Sequence, residues 1–418
     1  MAPYRLLDMR TTLVKSALMA AIVAGLALPA GAQVALDKSI TVTGQGSSFI
    51  SNFVDQCKAD VKNIFGINIG YQPTGSGAGR SGFISNTVEF GGSDVPFNTT
   101  ELGQLKDKKF VYIPITIGGI AVVYKLPGVT DLKLSAPTLA RIFAGELQKW
   151  NAEPIAKDNP GVNLPDSVIK VVVRSDSSGT SNVFSDYLSS AGKGGWTKGA
   201  QSTFPVPSGN GVAQRGSDGV TNYVQGSQGE GAITYAEVSF ATERKLNVAK
   251  VINTAGSAVV PDAENVTEAM ASAATNDDGT LLLNFNAPAA KAYPISTTSY
   301  LIAPQTLDLP KADVLRTFLT YSLGACQAKA EKIGYAPLPA NLLALGQKAL
   351  EKVAGSGPVP TVPTAGAPVT TAASGSASIA PAARATTTAA TVPATTKATN
   401  AMTKPKAKAK TKTKKTTH

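Results

Sequence analysis

The chain has 418 residues, of which 43% are hydrophobic and 16% charged, and its formal net charge is +11. That charge lies at the two ends: residues 1–32 hold two net positive charges, residues 355–418 hold nine, and residues 33–354 balance to zero. The single histidine, His418, and the two cysteines exclude a Ser–His catalytic arrangement and a histidine and cysteine metal cluster. We therefore expect no catalytic residue, no bound metal and no other cofactor.

Residues 1–32 have the pattern of a secretory signal peptide. Basic residues are followed by an apolar run at 17–28 and by the small residues Ala30-Gly31-Ala32, so we expect cleavage near Ala32, before Gln33. The run is shorter than the ~20 residues that span a bilayer, which disfavours a membrane anchor. Since no cysteine lies near the cleavage site, we expect an exported periplasmic protein that is not a lipoprotein.

Residues 355–418 are mostly Thr, Ala, Pro, Gly, Ser and Lys, with no acidic residue. Such a segment buries too little apolar surface to offset its ordering entropy, so we expect a disordered tail. Eight lysines within the last 22 residues would attract anionic cell-envelope polymers. A polyanion-binding or adhesion role through the tail is therefore an alternative function, and a merely solvated tail is the other interpretation.

The neutral body alternates short apolar strands with helical patterns, which predicts α/β layers in two lobes. Strands are predicted at 40–43, 67–71, 111–114, 120–124 and 169–173, and helices at 50–65, 136–144, 181–190, 219–225, 312–323 and 342–353. A strand at 293–302 is expected to return to an earlier sheet. Lobe 1 would then comprise residues 33–114 and 296–354, lobe 2 residues 115–295, and the two crossing strands would form a hinge beside a ligand cleft.

Three Gly/Ser-rich stretches stand just before predicted helices, at 44–49, 74–80 and 174–181. The first turn of a helix has backbone N–H groups without partners and the positive end of the helix dipole, so it favours anions. Small hydroxyl residues let an anion approach and add donors. Three such helix starts in one domain predict a site for a small tetrahedral oxyanion.

Asp94, in a Gly-Gly-Ser-Asp turn, is the unexpected member of an anion site. A carboxylate repels an anion unless that anion carries a proton, which the carboxylate can accept in a charge-assisted hydrogen bond. Phosphate carries such a proton at neutral pH and sulfate does not, so Asp94 would discriminate between them. The alternative is that Asp94 caps a helix.

Arg174 and Asp176 are two residues apart at the end of a predicted strand and precede Ser178-Gly179-Thr180. The planar guanidinium fits the oxygens of a tetrahedral anion, and Asp176 would hold it in place. The alternative is a surface ion pair. Cys57 and Cys326 are expected to form a disulfide because export favours oxidation, and two buried free thiols are the alternative.

Together these motifs resemble the periplasmic phosphate-binding proteins of the phosphate-specific ABC transporter. The resemblance covers residues 38–350 and rests on the segments 44–49, 71–79, 86–94, 117–119, 141–145, 149–151, 159–161, 174–181 and 334–339. It implies a two-lobed, type II-like periplasmic-binding-protein fold that closes on phosphate. It also implies permease subunits as partners and a monomeric protein without enzymatic activity. The basic tail is not a feature of that family.

The resemblance further implies a set of phosphate contacts, residue by residue. These are Ser48, Phe49 through its backbone N–H, Ser76, Asp94, Arg174, Asp176, Ser178, Gly179 and Thr180. Ser48 stands where many relatives have Thr and keeps the hydroxyl. Gly77-Ala78 replaces a Ser-Gly pair seen in some members.

Overall fold

The computed structural model describes residues 34–360 except Ser272. The predicted signal peptide, residues 1–32, lies outside the described residues, and so does the predicted disordered tail from residue 361 onward. No helix in the described part of the chain has the length and apolar character needed to cross a membrane.

The strands of the described residues are β1 (Thr41–Gly46), β2 (Asn68–Gln72), β3 (Phe90–Ser93), β4 (Phe110–Lys125), β5 (Lys133–Ser135), β6 (Lys170–Arg174), β7 (Gly211–Gln214), β8 (Ala232–Glu237), β9 (Asn247–Val248), β10 (Lys250–Ile252), β11 (Ala258–Val259), β12 (Ala274–Thr275), β13 (Leu281–Leu282) and β14 (Ser296–Pro304). The α-helices are α1 (Ser51–Phe65), α2 (Ser76–Ile84), α3 (Thr99–Leu105), α4 (Ala136–Phe143), α5 (Glu153–Asp158), α6 (Gly179–Ala191), α7 (Gly216–Gln225), α8 (Val238–Glu243), α9 (Ala263–Met270), α10 (Leu309–Leu323) and α11 (Ala340–Leu350). Three 3₁₀ turns cover Ser227–Gly229, Ala325–Lys329 and Glu331–Ile333.

A nine-stranded sheet organises the described residues in the order β2-β1-β3-β14-β4-β8-β6-β7, with β9 also paired to β4. At one end β1 runs parallel to β2 and β3, and at the other end β6 runs parallel to β7 and β8. Between them, β14 and β4 are antiparallel to their neighbours. Two parallel α/β units are therefore joined by antiparallel strands.

Strand β4 passes from one unit to the other. It pairs with β14 as far as Gly119 and with β8 from Ile120. We use lobe 1 for the described residues 34–119 and 296–360, which include β1, β2, β3, β14 and the first part of β4, and lobe 2 for residues 120–295. The predicted boundary at 114/115 falls inside the segment of β4 that still pairs with β14.

The prediction of two separate strands at 111–114 and 120–124 is wrong, since β4 is continuous. Gly118 and Gly119 look like a break in the sequence, because glycine weakens the interior of a strand. A Cβ atom at Gly118 would lie 2.9 Å from the ring of Phe49. Pro261 occupies the space that a side chain at Gly119 would need. The glycines therefore allow close packing against an unbroken strand.

The described cysteines tie two segments of lobe 1 together. Cys57 lies on the buried face of α1 with Phe53, Val54 and Val61, and it forms a disulfide with Cys326 in a 3₁₀ turn. The two Cα atoms are 5.8 Å apart, within the usual range for a disulfide. This bond anchors α1, the first helix of the candidate site, to the segment that follows α10.

The packed chain extends slightly beyond the predicted start of the tail. Ser356 donates from its N–H and its hydroxyl to the carboxylate of Asp313 on α10, at 2.7 and 2.6 Å. The carbonyl of Pro358 accepts from the N–H of Val34 at 3.2 Å. The change in composition at residue 355 therefore comes before the last residues that pack on lobe 1.

Candidate functional site

Four helices begin at the carboxyl ends of parallel strands and point toward one place between the lobes. From lobe 1 these are α1 after β1 and α2 after β2, and from lobe 2 they are α6 after β6 and α7 after β7. In open α/β sheets, ligands bind at the carboxyl ends of the strands. The three predicted Gly/Ser stretches precede α1, α2 and α6, and contacts among their residues bring them together.

Asp94 follows β3 and is buried among hydroxyl donors. Its Oδ1 accepts from Ser47 at 2.5 Å and from Ser299 at 2.6 Å. Its Oδ2 accepts from Thr180 of lobe 2 at 3.2 Å and from Ser76 at 3.4 Å. Burial raises the pKa of Asp94 above its ordinary value, although these donors and the nearby Arg174 oppose the rise.

The interpretation of Asp94 as a helix cap is wrong. The cap of α3 is Asn98, whose side chain accepts from the N–H of Glu101 at 2.9 Å. Glu101 returns a bond to the N–H of Asn98, which completes a capping box. The carboxylate of Asp94 therefore does not cap α3, and it faces the start of α6 in lobe 2.

Arg174 and Asp176 form a buried, two-pronged ion pair, so the interpretation as a surface pair is wrong. Nε and Nη2 of Arg174 donate to the two carboxylate oxygens of Asp176 at 2.7 and 2.5 Å, and the side chains are 1% and 8% exposed. Burial alone would raise the pKa of Asp176, but Arg174 and the N–H of Gly216 hold it below its ordinary value. The geometry leaves Nη1 directed away from Asp176.

The start of α6 lies directly against Asp94. A side chain at Gly179 would stand 2.5 Å from the hydroxyl of Ser76 and 2.7 Å from Cβ of Asp94, so only glycine permits this approach. Ser178 caps the helix by accepting from the N–H of Ser181 at 3.1 Å. The start of α6 is thereby brought against Asp94, to which the Thr180 hydroxyl donates.

Contacts between the lobes surround this space. The hydroxyls of Ser48 and Ser217 are 2.9 Å apart, and the N–H of Gly77 donates to the carbonyl of Ser177 at 2.9 Å. With the bond from Thr180 to Asp94, these contacts join the lobes on three sides of the site. The structure is therefore a closed one.

Phe49 differs in part from its predicted role. Its backbone N–H, predicted to donate to the anion, donates to the hydroxyl of Ser47 at 3.0 Å. Its ring is buried against Tyr335, whose hydroxyl donates to the Phe49 carbonyl at 2.6 Å. Phe49 thus fixes the start of α1 within the core of lobe 1.

Three buried serines of the site were not predicted: Ser47, Ser217 and Ser299. Ser47 stands beside Ser48 in the first Gly/Ser stretch, so composition alone could have indicated it. Gly216-Ser217 is a fourth Gly/Ser helix start, just before the helix predicted at 219–225. Ser299 lies in the returning strand and has no comparable local signal.

A buried carboxyl lies at the hinge, behind the site. Glu237 ends β8 opposite Ile120, and its Oε1 has no hydrogen-bond partner while Oε2 accepts from the N–H and hydroxyl of Ser239. Burial raises the pKa of Glu237 to about 8, against the opposing effect of Ser239 and Tyr335. The side chain is therefore uncharged over much of the neutral range.

The charged groups of the site are one arginine and two carboxylates, so attraction between net charges does not select the anion. The hydrogen-bond donors must therefore select the anion. These are the hydroxyls at the starts of α1, α2 and α6, Nη1 of Arg174, and backbone N–H groups aligned with the helix dipoles. Asp94 adds an acceptor among them. Such a site suits a tetrahedral oxyanion that carries a proton.

Known proteins are similar to this chain in sequence and in fold. A family model described as a PBP superfamily domain matches residues 30–325. "Phosphate-binding protein PstS" from Xylella fastidiosa (strain 9a5c) is 37% identical over 314 residues, 73% of this chain and 84% of that protein. "Phosphate-binding protein PstS 2" from Mycobacterium tuberculosis (strain ATCC 25618 / H37Rv) is 35% identical over 309 residues, with 70% and 82% coverage.

Solved structures show the same architecture. A high-affinity periplasmic phosphate-binding protein (PfluDING) bound with phosphate superimposes with a TM-score of 0.62 at 24% identity, covering 74% of this chain and 93% of its own. A putative phosphate ABC transporter substrate-binding protein from Clostridium perfringens, with bound phosphate, gives a TM-score of 0.53 at 18% identity, covering 72% and 100%. The predicted two-lobed periplasmic-binding-protein fold is confirmed.

None of the relatives named here is described as a polyanion-binding or adhesion protein, so they give no support to the alternative function predicted from the tail. The family model matches residues 30–325, a range that contains every strand of both lobes and every residue of the candidate site. The predicted resemblance is confirmed: the chain belongs to the phosphate-binding proteins of the PBP superfamily.

Proposed function

We propose that this protein binds inorganic phosphate in the cleft between its lobes and delivers it to the permease subunits of an ABC transporter for import. The observation that carries this proposal is the buried carboxylate of Asp94, placed among hydroxyl donors and within the electrostatic influence of Arg174. An acceptor in that position suits an anion that still carries a proton. The relatives named phosphate-binding proteins support the same assignment.

The proposed phosphate contacts are the nine residues predicted from the sequence: Ser48, Phe49, Ser76, Asp94, Arg174, Asp176, Ser178, Gly179 and Thr180. In this proposal Arg174 binds two phosphate oxygens and Asp176 fixes its orientation. Hydroxyls and first-turn N–H groups bind the remaining oxygens. Asp94 accepts a hydrogen bond from the protonated oxygen of phosphate. Phe49 contributes by turning its N–H from Ser47 to the anion, while its ring and carbonyl fix the start of α1.

The strength of these contacts is sufficient without a metal ion. A micromolar Kd corresponds to about −8.2 kcal/mol, and a hydrogen bond to a charged group contributes about 1.5–3 kcal/mol. A handful of such bonds reaches that range after the costs of desolvation and lobe closure. A sulfate oxygen and the Asp94 carboxylate are both acceptors, and no proton would lie between them. The site should therefore bind phosphate in preference to sulfate.

The place of action follows from the predicted signal peptide at residues 1–32. We propose that the signal peptide is cleaved and that the mature protein is a periplasmic monomer. It would have no lipid anchor and no enzymatic activity. Its partners would be phosphate and the permease subunits.

Isothermal titration calorimetry of the purified protein, stripped of bound anion, tests this function. We expect one phosphate per chain with a micromolar or lower Kd, and no binding of sulfate at a thousandfold higher concentration. Equal affinity for the two anions would contradict the role of Asp94. Absence of phosphate binding would contradict the proposed function as a whole.

A further inference from the structure

The buried hydroxyl of Ser217 links an arginine of lobe 2 to a serine of lobe 1. Ser217 is the second residue of α7, and its side chain is buried. Its Oγ lies 2.9 Å from Oγ of Ser48 and 3.4 Å from Nη1 of Arg174, and its N–H donates to Oγ of Ser48 at 3.2 Å. None of the nine proposed contacts includes it.

The donors and acceptors in this group can be counted. Arg174 has no acceptor, so Nη1 donates to Oγ of Ser217. Either hydroxyl can donate across the 2.9 Å between Oγ of Ser217 and Oγ of Ser48. The relay requires the direction in which Ser217 donates its one proton and Ser48 accepts. Ser48 then accepts both the hydroxyl and the N–H of Ser217, which occupies its two lone pairs.

The count leaves Ser48 with only its own proton to offer. Having no vacant lone pair, its hydroxyl acts as a donor alone, toward the space that the helix starts enclose. The positive charge of Arg174 polarises the chain of hydrogen bonds and strengthens its last donor. Oγ of Ser48 would therefore present a charge-assisted donor to an anion, although it is one bond further from the guanidinium than Ser217.

The Arg174–Asp176 ion pair also positions the start of α7, and with it Ser217. The N–H of Gly216 donates to Oδ1 of Asp176 at 2.9 Å, and the same oxygen accepts from Nε of Arg174 at 2.7 Å. The ion pair therefore fixes both Nη1 and the residue that precedes Ser217. Because Ser48 belongs to lobe 1 and Ser217 to lobe 2, the relay forms only when the lobes are closed.

We propose that Ser217 is a positioning residue: it relays a hydrogen bond from Arg174 to Ser48 and so holds the lobes closed on the bound anion. This inference rests on the proposed function of phosphate binding. Opening must break the Ser217–Ser48 bonds before phosphate leaves, whereas they form only after phosphate has entered. Loss of the relay should accordingly raise koff and leave kon nearly unchanged.

The test is stopped-flow measurement of phosphate binding to wild type, Ser217→Ala, Ser48→Ala and the double variant. We expect Ser217→Ala to raise koff and Kd about tenfold with kon within twofold, because a tenfold change corresponds to one weak hydrogen bond of about 1.4 kcal/mol. In the Ser48→Ala background the same change should raise Kd less than twofold, since the relay has lost its last member.

Two further variants guard against a general packing effect. Thr221→Val changes a buried residue of the same helix, whose hydroxyl donates to the Ser217 carbonyl at 2.7 Å, and it should leave koff unchanged. Ser217→Cys keeps the shape of the side chain but is larger and has a weaker donor, and it should give an intermediate koff.

An equal effect of Ser217→Ala in both backgrounds, or none in either, would overturn the relay while leaving phosphate binding intact. A reduction in kon with unchanged koff would also overturn it. Failure of the wild-type protein to bind phosphate would instead refute the proposed function, and the relay with it.

Discussion

The hydroxyl of Ser299 donates to Oδ1 of Asp94 at 2.6 Å, so the strand that returns from lobe 2 supports the carboxylate that follows β3. Ser47 supplies a second donor to the same oxygen at 2.5 Å. With Oδ1 held by two short bonds, Oδ2 is the oxygen left to meet lobe 2 and an anion. The two serines thereby fix the direction in which Asp94 acts as an acceptor.

Asp94→Asn should reduce discrimination between phosphate and sulfate. The amide has one acceptor oxygen and adds an NH₂ donor, so it no longer requires a proton on the anion. We expect phosphate affinity to fall by about 10- to 100-fold, the value of one charge-assisted hydrogen bond, while sulfate binding becomes measurable. Titration calorimetry with both anions checks this, and an unchanged ratio of the two affinities would refute the assigned role.

Ser299→Ala should weaken phosphate binding by removing one donor from Oδ1 of Asp94. The remaining carboxylate is less well stabilised, so its pKa should rise further above its ordinary value. We expect phosphate affinity to fall about tenfold and to decline further as the pH is lowered, because protonation removes the acceptor.

The matched control is Ser296→Ala, a buried serine on the same strand whose hydroxyl donates to the Tyr293 carbonyl at 2.7 Å. It should leave both the affinity and its pH dependence as in the wild type. Calorimetry over a range of pH compares the two variants. If Ser296→Ala has the same effect as Ser299→Ala, the contact with Asp94 is not the cause.

Arg174→Ala should abolish tight phosphate binding and also destabilise the fold. It removes two donors to the anion and leaves Asp176 as a buried charge without its partner, which costs about 3–5 kcal/mol. The double variant Arg174→Ala, Asp176→Asn should recover much of the stability in urea unfolding but none of the binding. Recovery of phosphate affinity in the double variant would contradict a direct role of Arg174.

Arg141→Ala serves as the control for this prediction. Arg141 pairs with Glu146 at 3.1 Å with side chains 43% and 54% exposed, so its loss should change stability by less than about 1 kcal/mol. Phosphate affinity should not change at all.

Glu237→Gln should make the stability of the protein less dependent on pH between about 5 and 8. The folded-state pKa of Glu237 is raised from 4.5 to about 8, so the folded protein holds a proton that the unfolded chain releases. The stability that this proton confers is complete below 4.5 and is lost as the pH rises to about 8, by up to about 1.4 kcal/mol per pH unit. Glutamine has no such dependence.

Urea unfolding at about pH 5 and about pH 8 measures this slope. The difference in free energy of unfolding between the two pH values should be smaller in Glu237→Gln than in the wild type. Glu243→Gln, an exposed position on α8, should behave like the wild type. Parallel pH dependences in all three proteins would show that Glu237 is not buried uncharged.

The sequence predicts part of the site because the relevant signal is local. Gly/Ser helix starts and an Arg-x-Asp pair can be recognised within a few residues, and the structure brings Ser76 and Thr180 to Asp94 as those stretches indicate. Ser299 lies 205 residues from Asp94 along the chain, so no local pattern connects them. The pairing of β14 with β4 also shifts between Ser299 and Tyr300, which breaks the simple alternation of faces.

The continuity of β4 is a second feature that local sequence patterns do not predict. Gly118-Gly119 resembles a turn when only neighbouring residues are considered, and the lobe boundary predicted from the sequence, 114/115, precedes it. The strand continues because Phe49 packs directly against Gly118 and β14 pairs through Gly119. Tertiary packing, not local propensity, decides the path of the chain there.

A crystal structure of the protein grown with phosphate tests the central claim most directly. We predict one tetrahedral anion between the lobes, with an oxygen about 2.5–2.7 Å from Oδ2 of Asp94 and two others bonded to Arg174. A cleft that stays empty at saturating phosphate, or one that holds an organic molecule in place of the anion, would contradict the account.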